Sequence, residues 1–290
     1  MSAAWFPICT VNGAQYSPAV AFNGTHFLVV WSDERNLGVT GVDIYGTRVG
    51  TVGAVLDSPN LAISQAPGDA VFPAVASAGS DFLVVWEDGR NSATTGDDIY
   101  GARVTGPGVV SDPSGLAIAV APDYQAVPAV AASGTNYLVA WQDGRNSSTT
   151  GADIYGARVG TSGAVLDADG IPINTGPFDQ QSPKLASGSP DVFLVVCQSM
   201  ETGSPRAAGN FVYLDDFPII TQVSVVAGSA TLTWLSIPNR TYRVEFKTSL
   251  ASLVWSNLIP DILASGTVST QVDNTAGSAP ARHYRVVLLP

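Results

Sequence analysis

The chain repeats itself every 55 residues. Pro18, Pro73, Pro128 and Pro183 keep that step, as do Trp31, Trp86 and Trp141. A fixed period of this kind means one supersecondary unit has been copied, and that no copy buries its apolar face alone. The unit reads P-A-V-A, then F-L-V-V-W-x-D-x-R, then a Gly/Thr/Ser loop, then D-I-Y-G-x-R-V, closing with a G-x-V-x-D turn and a short L-A-I segment. Three copies are full. A fourth begins at Ser182-Pro183 and is degraded: Cys197 stands one residue out of step with the tryptophans, the Asp and Arg are missing, and Asn210-Phe211-Val212 replaces D-I-Y.

Each unit carries four strand signals, in the second copy near Ala74–Ala78, Phe82–Glu87, Asp98–Val104 and Leu116–Val120. The run Phe82-Leu83-Val84-Val85-Trp86 has no polar alternation. Such a strand needs cover on both faces, which a four-stranded sheet stacked between two like sheets provides. That is the geometry of a β-propeller blade, and a parallel β-helix would need much shorter coils. The expected fold is all-β: a four-bladed propeller-like domain over residues 1–216. Before the first copy, Phe6-Pro7-Ile8 aligns with the closing strands Leu61-Ala62-Ile63, Leu116-Ala117-Ile118 and Ile171-Pro172-Ile173. With Trp5 it reads as a fourth strand lacking a blade, while the fourth copy lacks its outer strand. The segment containing Trp5, Phe6 and Ile8 is therefore expected to complete the fourth blade, either in its own molecule or in a neighbour by head-to-tail strand addition.

The repeat ends near residue 217. Residues 217–290 show shorter strand signals: Thr221–Val226, Thr231–Leu235, Thr241–Thr248, Val254–Asn257, Ser269–Asp273 and His283–Leu288. About seven short strands at this spacing suggest an immunoglobulin- or fibronectin-like sandwich, with Trp234 and Tyr242 in its core. Charge divides with the domains. The whole chain carries 13 Lys+Arg against 24 Asp+Glu, net -11. Residues 215–290 hold equal numbers of acids and bases, so the repeats carry the excess. An acidic surface repels phosphate backbones, so nucleic acid is not an expected partner. No stretch is long and apolar enough to span a bilayer. No secretory leader is visible, yet the composition points to an extracellular or cell-surface location; a leader already removed, or a chain that begins inside a longer product, would reconcile the two.

The motif W-x-D-x-R…D-I-Y-G-x-R-V resembles tandem propeller-like repeats of large secreted or surface bacterial proteins. The tail, T-L-T-W…R-T-Y-R-V-E-F-K…W…H-Y-R-V-V-L-L-P, resembles C-terminal fibronectin-like modules of secreted planctomycete and verrucomicrobial proteins. Together the resemblances cover nearly the whole chain. They imply architecture and extracellular location, and no activity.

Residues that could carry chemistry are few. Asp33, Arg35, Asp43 and Arg48 recur as Asp88, Arg90, Asp98 and Arg103, and again as Asp143, Arg145, Asp153 and Arg158. A catalytic site is single and asymmetric, so this set reads as a structural ion-pair network fixing the loop between the second and third strands. A calcium site is disfavoured: acid spacing such as Asp97-Asp98 matches no calcium loop. His26 and His283 fall in different domains, which argues against a Ser–His–Asp triad. Glutamate is scarce (Glu34, Glu87, Glu201 and Glu245), and Gln142 replaces Glu87 in the next copy. A glycosidase would need a blade-specific carboxylate pair in a central cleft, absent from the other blades. Cys9 and Cys197, placed two strands apart in the closed ring, are expected to be free, largely buried thiols. The repeated Trp31, Trp86 and Trp141 and Tyr45, Tyr100 and Tyr155 read first as packing between blades and second as a sugar-stacking platform. Three sequons, at Asn23, Asn146 and Asn239, matter only in a glycosylating host. No cofactor or metal is expected. The functional expectation is a non-enzymatic extracellular structural or adhesion protein, self-assembling into filaments by N-terminal strand exchange or meeting other surface proteins and glycans. The alternative is a carbohydrate-binding lectin-like propeller.

Overall fold

The computed structural model describes residues 5–134, 136–189, 192–200, 203–213, 218, 220–236, 240–252, 254–266, 268–278 and 281–289. The chain divides into two compact units, Met1–Leu214 and Asp215–Pro290. Both are built from strands, and none of the described helical segments is long and apolar enough to cross a membrane.

The first unit holds four sheets. β1 (Gln15–Phe22), β2 (His26–Asp33), β3 (Asp43–Gly50) and β4 (Leu61–Ser64) form an antiparallel meander in that order. β5 (Ala70–Ala78), β6 (Asp81–Asp88), β7 (Asp98–Val104) and β8 (Leu116–Ala119) repeat it, as do β9 (Gln125–Ser133), β10 (Asn136–Asp143), β11 (Asp153–Gly160) and β12 (Ile171–Asn174). The fourth sheet has three strands, β13 (Gln180–Ser189), β14 (Val192–Ser199) and β15 (Arg206–Tyr213).

The sheets stack as blades because their second strands are apolar on both faces. Leu83 and Val85 of β6 pack toward Tyr137, Val139 and Trp141 of the third sheet. Phe82, Val84 and Trp86, on the opposite face of the same strand, pack toward Leu28 and Val30 of the first. All five of these β6 side chains are fully buried. Leu138 and Ala140 meet Phe193, Val195 and Cys197 of the fourth sheet in the same way. Cys197 thus occupies the inter-sheet place that Trp86 and Trp141 hold elsewhere. Backbone hydrogen bonds repeat at each joint: Ala70 N donates to Val42 O, Gln125 N to Asp97 O and Gln180 N to Ala152 O, at 2.7, 2.6 and 2.6 Å.

The inner strands begin earlier than the sequence pattern indicates. β5 starts at Ala70, and its register breaks between Val71 and Ala74. Phe72 there has φ +51°, and Ser17, Val127 and Ser182 share that left-handed conformation just before their prolines. A bulge of this kind interrupts the ladder, which hid the first strand residues behind Pro73. Segments of β1, β5, β9 and β13 surround an axial cavity of about 370 Å³, lined by Pro18, Pro73, Pro128 and Lys184 among others.

The amino-terminal segment departs from expectation. Residues 5–14 form no strand, so Trp5, Phe6 and Ile8 do not complete the fourth sheet in this molecule. They lie instead against the first sheet. Phe6 packs at Gly53, Cys9 Sγ approaches Asn60, and Trp5–Cys9 share a cavity with Val29 and Trp31. The physical reason is the first sheet's outer face. Trp86 and Trp141 are covered by a preceding sheet, whereas Trp31 has none and the segment takes that place. Among the described residues, β13 does not pack on β1 as the other neighbouring inner strands pack. Leu194, Val196 and Phe211 of the fourth sheet stay 41%, 38% and 62% exposed, so its far face is uncovered.

The second unit has two three-stranded sheets. One is ordered β16 (Ile220–Val226), β17 (Ser229–Leu235), β20 (Val268–Asp273), and the other β19 (Ser256–Leu263), β18 (Thr241–Lys247), β21 (His283–Leu288). Their facing sides bury Leu232, Trp234, Tyr242 and Val244. The strand expected at Val254–Asn257 runs further, to Leu263, because Pro260 lies on an edge strand where a missing N–H is tolerated.

The glycine of D-I-Y-G has a packing reason. A Cβ on Gly101 would lie 3.0 Å from Val84 O on the paired strand and 2.8 Å from Ile118 Cδ1. Gly24 has φ +90° with open space around it. Gly101→Ala is therefore expected to cost about 3 kcal/mol by overpacking, and Gly24→Ala about 1 kcal/mol from backbone strain alone. Urea denaturation of the two variants measures the difference.

Candidate functional site

The repeated polar residues form two separate clamps in each blade. Trp86 Nε1 donates to Asp88 Oδ2 at 2.7 Å, and Arg90 grips both oxygens of Asp88 at 2.7 Å. The guanidinium lies 3.9 Å from the Tyr100 ring centroid. Asp33 with Arg35 and Tyr45, and Asp143 with Arg145 and Tyr155, repeat the arrangement. Arg48, Arg103 and Arg158 do not pair with Asp43, Asp98 and Asp153. They pair with Asp57, Asp112 and Asp167 of the G-x-V-x-D turn. Arg48 Nη1 also donates to Gly106 O of the next blade at 2.9 Å, so this clamp ties blades together. Asp43, Asp98 and Asp153 accept instead from Asn36, Asn91 and Asn146. The loop network expected from the sequence is thus two networks with different partners. The repeated aromatics offer no sugar platform: Trp31, Trp86 and Trp141 are buried and the tyrosine rings lie beneath arginines. Both cysteines are free; Cys197 is buried and Cys9 half-buried.

Two acids of the second blade, Glu87 and Asp97, break the repeat, and Glu87 reaches a residue that lines the axial cavity. Glu87 sits where the first and third copies have Ser32 and Gln142, and Asp97 where they have Val42 and Ala152. Glu87 points to the third sheet, because it shares a strand face with Leu83 and Val85. The bulge at Val127 frees a backbone N–H from the ladder, and this N–H donates to Glu87 Oε2 at 3.0 Å. Val127 itself lines the cavity. Burial pushes the Glu87 carboxyl above its ordinary 4.5, with the negative charge of Asp97 adding to the rise against the Val127 bond. Asp97 is likewise raised, by burial first and then by Asp69 and Asp88. Gly89 permits the crowding: a Cβ there would lie 3.2 Å from Asp69 O and 3.5 Å from Asp97 Oδ1. Tyr16 is drawn into the same field, raised by burial and by Glu34 and Asp69. Among the described residues no group of acids, histidines or cysteines is arranged to hold a metal ion.

Sequence reasoning passed over this pair because it searched for what recurs. The available signal was the opposite: acids at positions where the other copies are neutral.

No protein-family model and no curated protein matches the sequence. Among solved structures, the chain is similar to an α-L-arabinanase from Penicillium chrysogenum complexed with arabinobiose, at 12% identity, covering 70% of this chain and 58% of that one, TM-score 0.48. It is similar to the α-L-arabinofuranosidase arb93a of Fusarium graminearum at 11% identity, covering 69% and 58%, TM-score 0.46. A GH43_1 enzyme from Xanthomonas citri gives 14% identity, covering 80% and 85%, TM-score 0.44. The chain spans a little over half the length of the first two, and the likeness assigns no activity to it. The expectation of a non-enzymatic structural, adhesive or filament-forming protein, and of a lectin-like alternative, is corrected here. The solved structures named above are glycosidases, not structural or adhesive proteins.

The shifted carboxyls set opposing pH dependences. Asp112 is held below its ordinary 3.8 by hydrogen bonding from Arg103, against burial. A lowered carboxyl contributes stability at neutral pH that is lost as pH falls through its folded value. A raised one stabilises most at low pH and loses that contribution as pH rises through its folded value. Glu87→Gln is therefore expected to raise the urea midpoint at pH 7, the gain vanishing below about pH 4. Asp112→Asn is expected to lower the midpoint at pH 7 and converge on wild type in acid. Urea melts from pH 3 to 8 check both signs.

Proposed function

We propose that this chain is a carbohydrate-active hydrolase that cleaves glycosidic bonds at the mouth of the axial cavity. The observation that carries the reading is that Glu87 and Asp97 are acids where the first and third copies are neutral, each raised by burial and a neighbouring acid, with the Glu87 carboxyl held by the N–H of the cavity-lining Val127. Burial and the negative charge of Asp97 both raise Glu87, which favours Glu87 as the one of the two that keeps its proton. Glycoside hydrolysis needs that division of labour. Glu87, enclosed and beside the cavity wall, is the general acid: it gives its proton to the glycosidic oxygen as the bond to the anomeric carbon breaks. Asp97 is the general base: it takes a proton from the water that attacks the anomeric carbon. Asp97 then releases its proton to solvent as Glu87 regains one, which restores both groups. The Val127 N–H orients the Glu87 carboxyl.

The proposal extends to architecture and place. The second unit is read as an immunoglobulin- or fibronectin-like sandwich, supported by its two facing sheets over Trp234 and Tyr242. An extracellular or surface location, inferred from composition and from the resemblance to secreted bacterial proteins, suits an enzyme whose substrates are oligo- or polysaccharides.

The test is release of reducing sugar or aryl leaving group from a panel of aryl glycosides and plant and bacterial polysaccharides, using the full chain. Wild type should hydrolyse at least one class, with Glu87→Gln and Asp97→Asn each slowing it by about 10²–10⁴-fold. Aryl glycosides with good leaving groups should lose less in Glu87→Gln, since they need little protonation. Turnover of nothing in the panel, or full rates in both variants, would overturn the assignment.

A further inference from the structure

The axial cavity has a neighbour. A second space of about 510 Å³ opens between the amino-terminal segment and the first sheet, lined by Trp5, Phe6, Tyr16, Pro18 and Trp31 with Cys9 and Gln15 at its sides. Pro18 lines the axial cavity as well, so the two spaces meet across one residue. Tyr16 lies in this second space, and its hydroxyl is within the field of Glu34 and Asp69. The two spaces therefore share the Pro18 wall of β1, and the axial cavity also reaches Val127, whose N–H holds Glu87.

We infer that this second space is a subsite for the further sugar residues of an oligosaccharide whose scissile bond lies at the axial cavity. The inference rests on the hydrolase reading and names the extent of its substrate. Sugars offer an apolar C–H face and a hydroxyl edge. Trp5, 89% exposed, and Phe6 present ring surface to the first, while Gln15 and the Tyr16 hydroxyl can serve the second. A buried lipid-like ligand fits less well, because the wall also carries a tyrosine hydroxyl and an amide beside two acids. The arrangement also gives the amino-terminal segment a role that its failure to join a sheet leaves open: it supplies the aromatic rings of the second space.

Cys9 provides a local reporter. It borders the subsite and is half-buried, whereas Cys197 is 7% exposed and lies between the third and fourth sheets. The rate of Cys9 modification by a chromogenic thiol reagent is measured in full-length Glu87→Gln protein, with and without pentose and hexose di- to hexasaccharides. At ten times its Kd, a bound oligosaccharide should slow modification about tenfold by mass action. Protection should grow with chain length and be lost in Trp5→Ala. No protection by an oligosaccharide that wild type hydrolyses, or equal protection in Trp5→Ala, overturns the subsite and leaves the hydrolase reading standing. Protection by oligosaccharides that wild type never hydrolyses upholds the subsite and overturns the hydrolase reading.

Discussion

The second strand of each repeat has no solvent face, and the rest of the first unit follows from that constraint. Phe82 to Trp86 are buried on both sides of β6. Removing such side chains from water is the dominant favourable term in folding, so a sheet built on this strand is stable only between two others. A stack of like sheets must still end somewhere. At one end the chain lays Trp5 to Cys9 over Trp31. At the other it replaces the tryptophan with Cys197, drops the outer strand and leaves Leu194, Val196 and Phe211 partly exposed.

The residues that repeat and the residues proposed to act are different residues of the same unit. The Trp–Asp–Arg–Tyr clamp recurs with nearly constant geometry: the indole-to-carboxylate distance is 2.7 Å in all three full copies. Its carboxylate is buried and gripped on both oxygens, so both acceptor atoms are already engaged within the blade. Glu87 and Asp97 have the opposite character. Their neighbours raise them rather than neutralise them, which costs stability at neutral pH. Carboxyls kept in that condition suit the proton transfers of the proposed reaction. Two features of the fold make the pair possible: the bulge that frees the Val127 amide and the glycine at 89 that admits Asp69.

The sequence carried the sheets more clearly than their edges. The period and the unbroken apolar runs identified blades, because burial on both faces leaves a direct trace in residue type. The start of each inner strand did not show, since a left-handed residue followed by proline reads as a break although the ladder resumes beyond it. The amino-terminal segment was misplaced for a related reason. Its likeness to Leu61–Ile63 records which surface it covers, the face of the following sheet, and says nothing of whether a sheet accompanies it. The pairing of Arg48 with Asp57 rather than Asp43 was hidden because both acids recur at fixed steps, and period alone cannot choose between them. The acid pair was legible only as a departure from the repeat at two positions, Ser32/Glu87/Gln142 and Val42/Asp97/Ala152.

The central claim is that Glu87 holds its proton above the ordinary carboxyl range and that Asp97 contributes to this. Carboxyl-carbon NMR titration of Glu87, in wild type and in Asp97→Asn, tests it directly. The account predicts a Glu87 midpoint above 4.5 that falls when the charge at position 97 is removed. A midpoint at or below 4.5, unmoved by the substitution, would contradict it.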